Sequence, residues 1–308
     1  MFSRRHPYLF FILTFSSVVA TAMIVMTFLF VLGTRDADFE FGEKVGIIEL
    51  KGIITDSKKA IHNLKRFRED NSIKAIVIRI DSPGGAVGPS QEIFREIRKT
   101  SKSKKVVASM GSIAASGGYY VAAGTDGIVA NPGTITGSIG VIMGFTNYQQ
   151  LLSKIGLVPI VIKSGKYKDM GSPVRKMKPE EKKILKNFAR KIHRQFIRDI
   201  VEGRKMDKAK VESLADGRIF TGEESKKLGL VDRIGNFEDA VEWAGRLGGI
   251  KGKISTVYAR DKKFSLINYI MDSSAKALLN RITDPSLSAD YLYAPEKTVN
   301  PEPRSNNQ

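Results

Sequence analysis

The pattern of apolar and polar positions divides the chain into an uncharged N-terminal run and a longer region of short alternating segments. No charged residue occurs from Tyr8 to Leu32. At about 1.5 Å per residue, a helix of this length exceeds the roughly 30 Å hydrocarbon core of a bilayer. From Lys44 onward, β-type runs alternate with helical segments, which is typical of an α/β fold with parallel strands. The pattern therefore predicts one tilted transmembrane helix followed by an α/β domain.

Within that domain, five short apolar runs are the predicted strands, and two amphipathic segments are the clearest predicted helices. The helix Pro89–Thr100 has a proline at its start, and the helix Pro179–Val201 begins at Pro179 and is expected to stop at Gly203. The predicted strands are Val45–Leu50, Ala75–Ile80, Val106–Met110, Gly127–Ala130 and Val158–Ile162.

The charges beside the apolar run indicate its orientation. Arg4 and Arg5 precede the run, whereas Asp36 and Asp38 follow it, so the positive-inside rule places the N-terminus in the cytoplasm. A cleaved signal peptide is the alternative, but the run is longer than the usual ~7–15-residue signal core and no A-x-A-like site follows it. We expect an uncleaved signal anchor. The net charge of +18 then lies mainly outside the cytoplasm, where it favours an anionic lipid surface rather than nucleic acid.

The candidate nucleophile is Ser116, which follows a predicted strand and precedes an alanine-rich, helix-compatible run. Ala115 and Gly117 leave room beside its hydroxyl for a substrate backbone. A glycine amide at a helix N-terminus is also suited to stabilise an oxyanion. The alternative is a Gly/Ser-rich turn without chemistry, and the segment alone supports both interpretations.

A serine hydroxyl needs a neighbouring base to become a nucleophile. Of the three histidines, His6 precedes the apolar run, and His62 and His193 lie in charged helical stretches, where a solvated role is expected. The chain has no cysteine, which excludes Cys–His chemistry and thiolate metal sites. Lysine is the remaining candidate, provided that burial or nearby cations lower its pKa from about 10.4. The segment 162–169 offers three lysines, and the residues alone do not choose among them.

Two glycine-containing turns complete the candidate site. The segment 81–85, Asp-Ser-Pro-Gly-Gly, ends a predicted strand and exposes backbone N–H groups that suit an oxyanion; a tight structural turn is the alternative. The segment 134–140 is rich in hydroxyl groups and offers a second serine, Ser138, although a structural role explains it equally well.

Together and in order, these segments resemble the signal peptide peptidases of the SppA family in their short, single-domain form. The resemblance extends from about Lys44 to Leu247. The motifs that carry it are Asp81–Gly85, Ala114–Tyr120, Gly137–Val141, Ser164–Asp169, Asp216–Gly222 and Leu228–Asp232.

The resemblance implies a Clp-protease/crotonase-like fold of repeated ββα units, a Ser–Lys dyad and no metal or cofactor. It also assigns a role to each candidate residue. These roles are nucleophile for Ser116, general base for Lys168, orientation of the lysine for Ser138, and oxyanion donor for Gly117 and for Gly85 or Gly84.

The function implied is that of a membrane-anchored serine endopeptidase that hydrolyses remnant signal peptides or other extended apolar chains. The implied location is the bacterial inner membrane, with a single pass and the catalytic domain on the periplasmic side. Ring- or dome-shaped homo-oligomers are expected, in which Lys168 need not serve the Ser116 of its own chain. The alternatives are a crotonase-type acyl-CoA enzyme, a related Ser–Lys protease acting on a specific membrane protein, and a non-catalytic scaffold.

These interpretations divide the chain into six parts. An amphipathic stretch, Phe264–Ile282, is expected to pack on the core, on a second subunit or on a membrane surface. The last residues are rich in Pro, Asn and Glu, which predicts disorder. The parts are a cytoplasmic N-terminus (1–7), a signal anchor (8–32), a linker (33–43), a protease domain (44–250), an amphipathic C-terminal segment (251–294) and a tail (295–308).

Overall fold

The computed structural model describes residues 6–34, 43–259 and 290–292. The chain divides into two compact units, residues 1–42 and 43–308. The first unit contains one helix, α1 (Pro7–Thr34), and its part Pro7–Phe28 is long and apolar enough to cross a membrane. The predicted transmembrane segment therefore coincides with a continuous helix. Most of the predicted linker, the amphipathic stretch Phe264–Ile282 and the tail 295–308 lie outside the described residues.

The second unit is built on an eight-stranded sheet in the described part of the chain. Its main path runs β7-β6-β4-β2-β1-β9, while β5 pairs with the first half of β4 and with β8. Neighbouring strands of this sheet run parallel, except for β6 and β7, which pair antiparallel. These strands are β1 (Lys44–Lys51), β2 (Ile73–Ser82), β4 (Lys105–Ala115), β5 (Gly127–Ala130), β6 (Ile135–Gly137), β7 (Ile219–Thr221), β8 (Arg233–Ile234) and β9 (Ser255–Tyr258).

Two short strands lie outside this sheet. β3 (Gly84–Ala86) follows β2 directly, and it pairs antiparallel with β10 (Asp290–Leu292) from the C-terminal region. On its other edge, β3 forms a parallel bridge between Gly85 and Ile54. β3 is therefore held beside the C-terminal end of β2, where ligands of α/β sheets commonly bind.

Helices cover both faces of the large sheet, which explains why its central strands are apolar on both sides. One face packs against α2, α3, α4 and α6, and the other packs against α9. The helices of this unit are α2 (Lys58–Glu69), α3 (Val87–Thr100), α4 (Gly117–Ala123), α5 (Gln149–Lys154), α6 (Pro179–Arg204), α7 (Lys208–Leu214), α8 (Gly222–Leu228) and α9 (Phe237–Leu247).

The α/β architecture and four of the five predicted strands are confirmed, but the predicted strand Val158–Ile162 is wrong. This segment is irregular, and Ile162 is 96% exposed. A β-type sequence forms a strand only beside a hydrogen-bonding neighbour, and within the described residues none pairs with this segment. The predicted stop of the long helix at Gly203 is also wrong, because α6 continues to Arg204. A β-carbon on Gly203 would lie 2.0 Å from the Ala123 carbonyl oxygen, so close packing explains this glycine.

Candidate active site

Ser116 lies at the junction of β4 and α4, as the sequence pattern predicts. Its backbone has φ 54° and ψ −115°, and its hydroxyl makes no capping bond to the helix. A non-glycine residue in such a conformation costs about 1–3 kcal/mol and persists only where its surroundings enforce it. Here the Ser116 N–H donates to the Gly137 carbonyl at 2.8 Å, and its carbonyl accepts from the Tyr120 N–H at 2.8 Å. The fold thus buries Ser116, which is 1% exposed as a residue, and leaves its hydroxyl without a helix-capping bond.

The Gly117 amide lies beside the short strand β3. As the first residue of α4, Gly117 has an N–H without a partner inside the helix. A β-carbon on Gly117 would lie 3.1 Å from the Gly85 amide nitrogen and 2.7 Å from the Ser90 Oγ. The backbones of Gly117 and Gly85 therefore approach each other closely next to Ser116, and two amides in this position form a candidate oxyanion hole.

Hydrogen bonds around β3 distinguish its two glycines. The Gly84 N–H donates to the Ser82 Oγ at 3.1 Å, so this amide already has an acceptor. The Ile54 N–H donates to the Gly84 carbonyl, and the Ala86 N–H donates to the Ile54 carbonyl. Because the N–H and C=O groups of successive strand residues point to opposite edges, the Gly85 N–H points away from Ile54. Of the two candidate donors on β3, only the Gly85 N–H is directed away from these partners.

Ser138 lies directly after β6, which pairs with the end of β4. The register places Gly137 opposite Ala115, so the chain carries Ser138 beside the Ser116 backbone. Ser138 also has a positive φ of 50°, is 7% exposed, and donates its N–H to the Arg218 carbonyl at 2.8 Å. The two serines that the sequence analysis selected are thus brought together at one end of the sheet.

The three candidate lysines have different surroundings. Lys163 forms an ion pair with Asp169, and Lys166 pairs with Glu180 at 3.1 Å. The hydrogen bond that Lys166 donates to the Glu180 carboxylate raises the pKa of Lys166, which opposes a role as a neutral base. Lys168 makes no ion pair with a carboxylate within the described residues. The sequence predicts three neighbouring cations here, whereas two of these lysines are paired with acids.

Lys168 and Ser116 differ in exposure and form no direct contact by hydrogen bonding within one chain. Lys168 is exposed, whereas Ser116 is buried. His62 and His193 lie on α2 and α6, and neither bonds to Ser116 in the described part of the chain. The same residues contain no group of three His, Asp or Glu side chains suited to a metal ion. Within the described residues, the two amides and the second serine lie beside Ser116, and no lysine or histidine side chain is hydrogen-bonded to it.

An ion-pair network that the sequence analysis missed holds the turn that carries Lys168. Arg175 donates to the Glu181 carboxylate at 2.9 and 2.6 Å and to the Asp169 carboxylate at 2.8 Å. Its hydrogen bonds lower the pKa of Asp169 and lower that of Glu181 to about 2. Glu181 is 1% exposed and also accepts the Lys178 N–H at the start of α6. The Lys168 turn is thus fastened to the N-terminus of α6.

We expect Arg175→Ala to lower the melting temperature at pH 7, because it leaves the Glu181 carboxylate without its bidentate partner. A carboxylate whose folded pKa is depressed contributes stability above its unfolded pKa of 4.5, and this contribution is lost as the pH falls towards about 2. The difference in melting temperature between parent and variant should therefore shrink between pH 4.5 and 2.5. Thermal unfolding at several pH values measures this, with the exposed Arg190→Ala on α6 as control. A pH-independent difference would contradict the role of these carboxylates.

The fold and the site define an α/β serine peptidase of the Clp-protease type. Residues 43–135 match the family model described as Clp protease, and residues 98–251 match that of peptidase family S49. The chain belongs to peptidase family S49, which confirms the resemblance found in the sequence.

Relatives in several bacteria agree with this family. A candidate protease of Synechocystis sp. is 46% identical over 209 residues, which cover 68% of this chain and 76% of the relative. A candidate signal peptide peptidase SppA of Enterococcus faecium is 37% identical, over 65% of this chain and 62% of the relative. Protease 4 of Salmonella typhi is 32% identical over 82% of this chain, which spans only 43% of that longer protein.

Proposed function

We propose that this peptidase uses a Ser116–Lys168 dyad in which the lysine comes from a second copy of the chain. The observation that carries the proposal is the presentation of Ser116, a strained serine at a strand-to-helix junction beside the Gly117 and Gly85 amides. Among the lysines of the 162–169 segment, Lys168 is the one without an acidic partner in the described residues. No carboxylate of the described residues therefore engages its amino group.

The surface of the chain supports completion of the site by a second copy. Residues 142–162, here called the apolar arm, end just before the turn that carries Lys168. Large apolar side chains of this arm are exposed, which is unusual for a monomeric protein and typical of a protein–protein contact. They include Val158 (82% exposed), Ile160 (86%) and Ile162 (96%). Docking of the arm on a neighbour would bury these side chains and deliver Lys168 to the neighbour's Ser116. The proposed assembly is a ring or dome.

The proposed reaction proceeds through an acyl-enzyme. Neutral Lys168 accepts the proton of the Ser116 hydroxyl as Oγ attacks the scissile carbonyl carbon, and the Gly117 and Gly85 N–H groups stabilise the oxyanion. The C–N bond then breaks, and the Lys168 ammonium returns the proton to the leaving amine. A water molecule, deprotonated by Lys168, hydrolyses the ester and regenerates Ser116. Ser138, adjacent in the fold, orients the lysine by accepting a hydrogen bond from it.

We assign extended apolar peptides as substrates, with remnant signal peptides as the preferred class. The N-terminal helix α1 is suited to anchor the enzyme where such peptides are released, and one relative is named as a signal peptide peptidase. The flanking charges orient the N-terminus to the cytoplasm and the protease domain, residues 44–250, to the periplasmic side of the inner membrane. The basic surface of that domain then faces anionic lipid headgroups.

Covalent labelling by a fluorophosphonate tests the nucleophile directly, because the activated oxygen displaces fluoride from phosphorus. We expect one adduct per functional site, located on Ser116 by peptide mass spectrometry and absent from Ser116→Ala. Ser112→Ala, an exposed serine on the same strand, is the matched control and should label like the parent. Labelling of Ser116→Ala at the parental level would contradict the assignment.

A further inference from the structure

The C-terminal ends of α3, α4 and α6 surround a cavity of about 330 Å³. This volume lies at the lower end of the roughly 300–1,000 Å³ that is common for small-ligand sites. The cavity shares no residue with the candidate active site, so its role is independent of the chemistry at Ser116. Its basic lining residues are Arg98, Lys102, Arg204 and Lys205, and its acidic ones are Asp126 and Asp232.

Buried hydrogen-bonding atoms without a partner concentrate in this cavity. In the described part of the chain, five buried side-chain atoms have no hydrogen-bond partner, and three of them belong to lining residues: Arg98 Nε, Ser101 Oγ and Arg204 Nε. The Arg204 side chain is 7% exposed, and the Glu202 carboxylate is 3.9 Å from Arg98 Nε, beyond hydrogen-bond distance. Because a guanidinium N–H can only donate, the missing partner must be an acceptor.

The two carboxylates of the cavity are already compensated. Asp232 accepts two hydrogen bonds from Arg204, both at 2.7 Å, and Asp126 pairs with Lys105 at 3.3 Å. Each carboxylate also accepts one backbone N–H. Neither acid therefore supplies the acceptor that the unpartnered atoms lack.

Three cations of the cavity, Arg98, Lys102 and Lys205, have no close carboxylate. Neither lysine forms an ion pair within residues 6–34, 43–259 and 290–292. The dipole of α3 also favours cations at its C-terminal end. However, the carbonyl groups of residues 97, 99 and 100 already accept N–H groups of residues 101–104, and Arg98 Nε caps none of them. These cations are therefore available to an anionic ligand.

We propose that this cavity binds a phosphate-type oxyanion. The oxygen atoms of such an ion accept hydrogen bonds from Arg98 Nε, Arg204 Nε and the Ser101 hydroxyl, and its charge compensates the neighbouring cations. Arginine is well suited to this task, because its planar donors match the geometry of a phosphate group. Inorganic phosphate and the headgroup of an anionic phospholipid offer the same chemistry. The bound ion joins the ends of three helices and so stabilises the folded domain.

Isothermal titration of inorganic phosphate into the full-length protein tests the proposal, in an uncharged detergent at pH 7 and constant ionic strength. We expect saturable binding of about one phosphate per chain. Arg98→Ala should weaken the affinity ten- to hundredfold, as expected for a lost hydrogen bond to a charged group. Ser101→Ala should weaken it several-fold. Arg95→Ala removes the same charge from an exposed position of α3 and is the matched control. No saturable binding, or equal affinities of Arg98→Ala and Arg95→Ala, would overturn the proposal.

A thermal-unfolding experiment separates the two sources of the phosphate group. Phosphate should raise the melting temperature of the parent and of Arg95→Ala more than chloride at equal ionic strength, and should do so less in Arg98→Ala. Dihexanoyl phosphatidylglycerol, added as monomers, should give the same Arg98-dependent rise if the site takes a lipid headgroup. A rise with phosphate alone assigns the site to the free ion. Equal rises with phosphate and chloride would show ionic-strength effects only and contradict a specific site.

Discussion

Lys168→Ala is expected to reduce kcat/KM for peptide hydrolysis by about 10³–10⁴, close to the loss in Ser116→Ala. Without the lysine, the hydroxyl keeps its proton and the leaving amine receives none. Lys166→Ala is the matched control, since it removes a neighbouring cation that is already paired with Glu180, and it should retain most of the activity. Full activity of Lys168→Ala would contradict the base assignment and transfer the role to another residue.

Mixing the two inactive variants tests whether the dyad is shared between copies. In a closed ring assembled at random from equal amounts of Ser116→Ala and Lys168→Ala, about a quarter of the interfaces join an intact serine to an intact lysine. Co-expressed variants should therefore recover about a quarter of the parental activity. Activity no higher than that of either variant alone would show that each chain uses its own lysine and would contradict completion by a second copy.

The location of Ser116 was predictable because it depends on local sequence. A β-type run that ends in small residues, followed by Gly117 and an alanine-rich segment, specifies a strand-to-helix junction with little dependence on distant residues. Apolar periodicity likewise identified β1, β2, β4 and β5, whose burial on both faces requires continuous apolar runs. The long apolar helix α1 was predictable for the same reason, since composition alone makes it long and apolar enough to span a membrane.

The surroundings of the lysines were not predictable, because they depend on contacts that follow no regular period. Arg175 lies six residues from both Asp169 and Glu181, a spacing that matches neither a helix nor a strand face, and only the fold closes the network. The same reasoning explains the error at Val158–Ile162. Its apolar pattern is real, but the described part of one chain offers it no neighbouring strand, and a contact with a second copy is the use that we propose for it.

β3 and β10 pair although they lie even further apart in the sequence than Arg175 and its partners. About two hundred residues separate Gly85 from Tyr291, and main-chain pairing places few demands on the side chains of either partner. The amphipathic interpretation of the C-terminal segment therefore gave no indication of this contact.

The oxyanion hole gives the second large expected effect, which Gly117→Ala isolates. Gly117 has no positive φ, so alanine is compatible with its backbone and with the first turn of α4. The new methyl group, however, would lie 3.1 Å from the Gly85 nitrogen and 3.2 Å from the Gly84 Cα, closer than nearly all packed carbon contacts. It would also lie 2.7 Å from the Ser90 Oγ, so it presses on Ser90 and on β3 together, and we expect β3 to shift by a few tenths of an ångström and the two amides to separate.

We expect Gly117→Ala to lower kcat by about 10²–10³, because an oxyanion donor contributes this much when it is correctly placed. Steady-state kinetics measures the effect, and thermal unfolding should show that the variant remains folded. Gly88→Ala, at the start of α3 with nothing within 4 Å of the added carbon, is the matched control and should keep parental kinetics. If Gly117→Ala is folded and its kcat lies within about threefold of the parent value, the Gly117 and Gly85 amides do not stabilise the transition state. The oxyanion would then need other donors around Ser116.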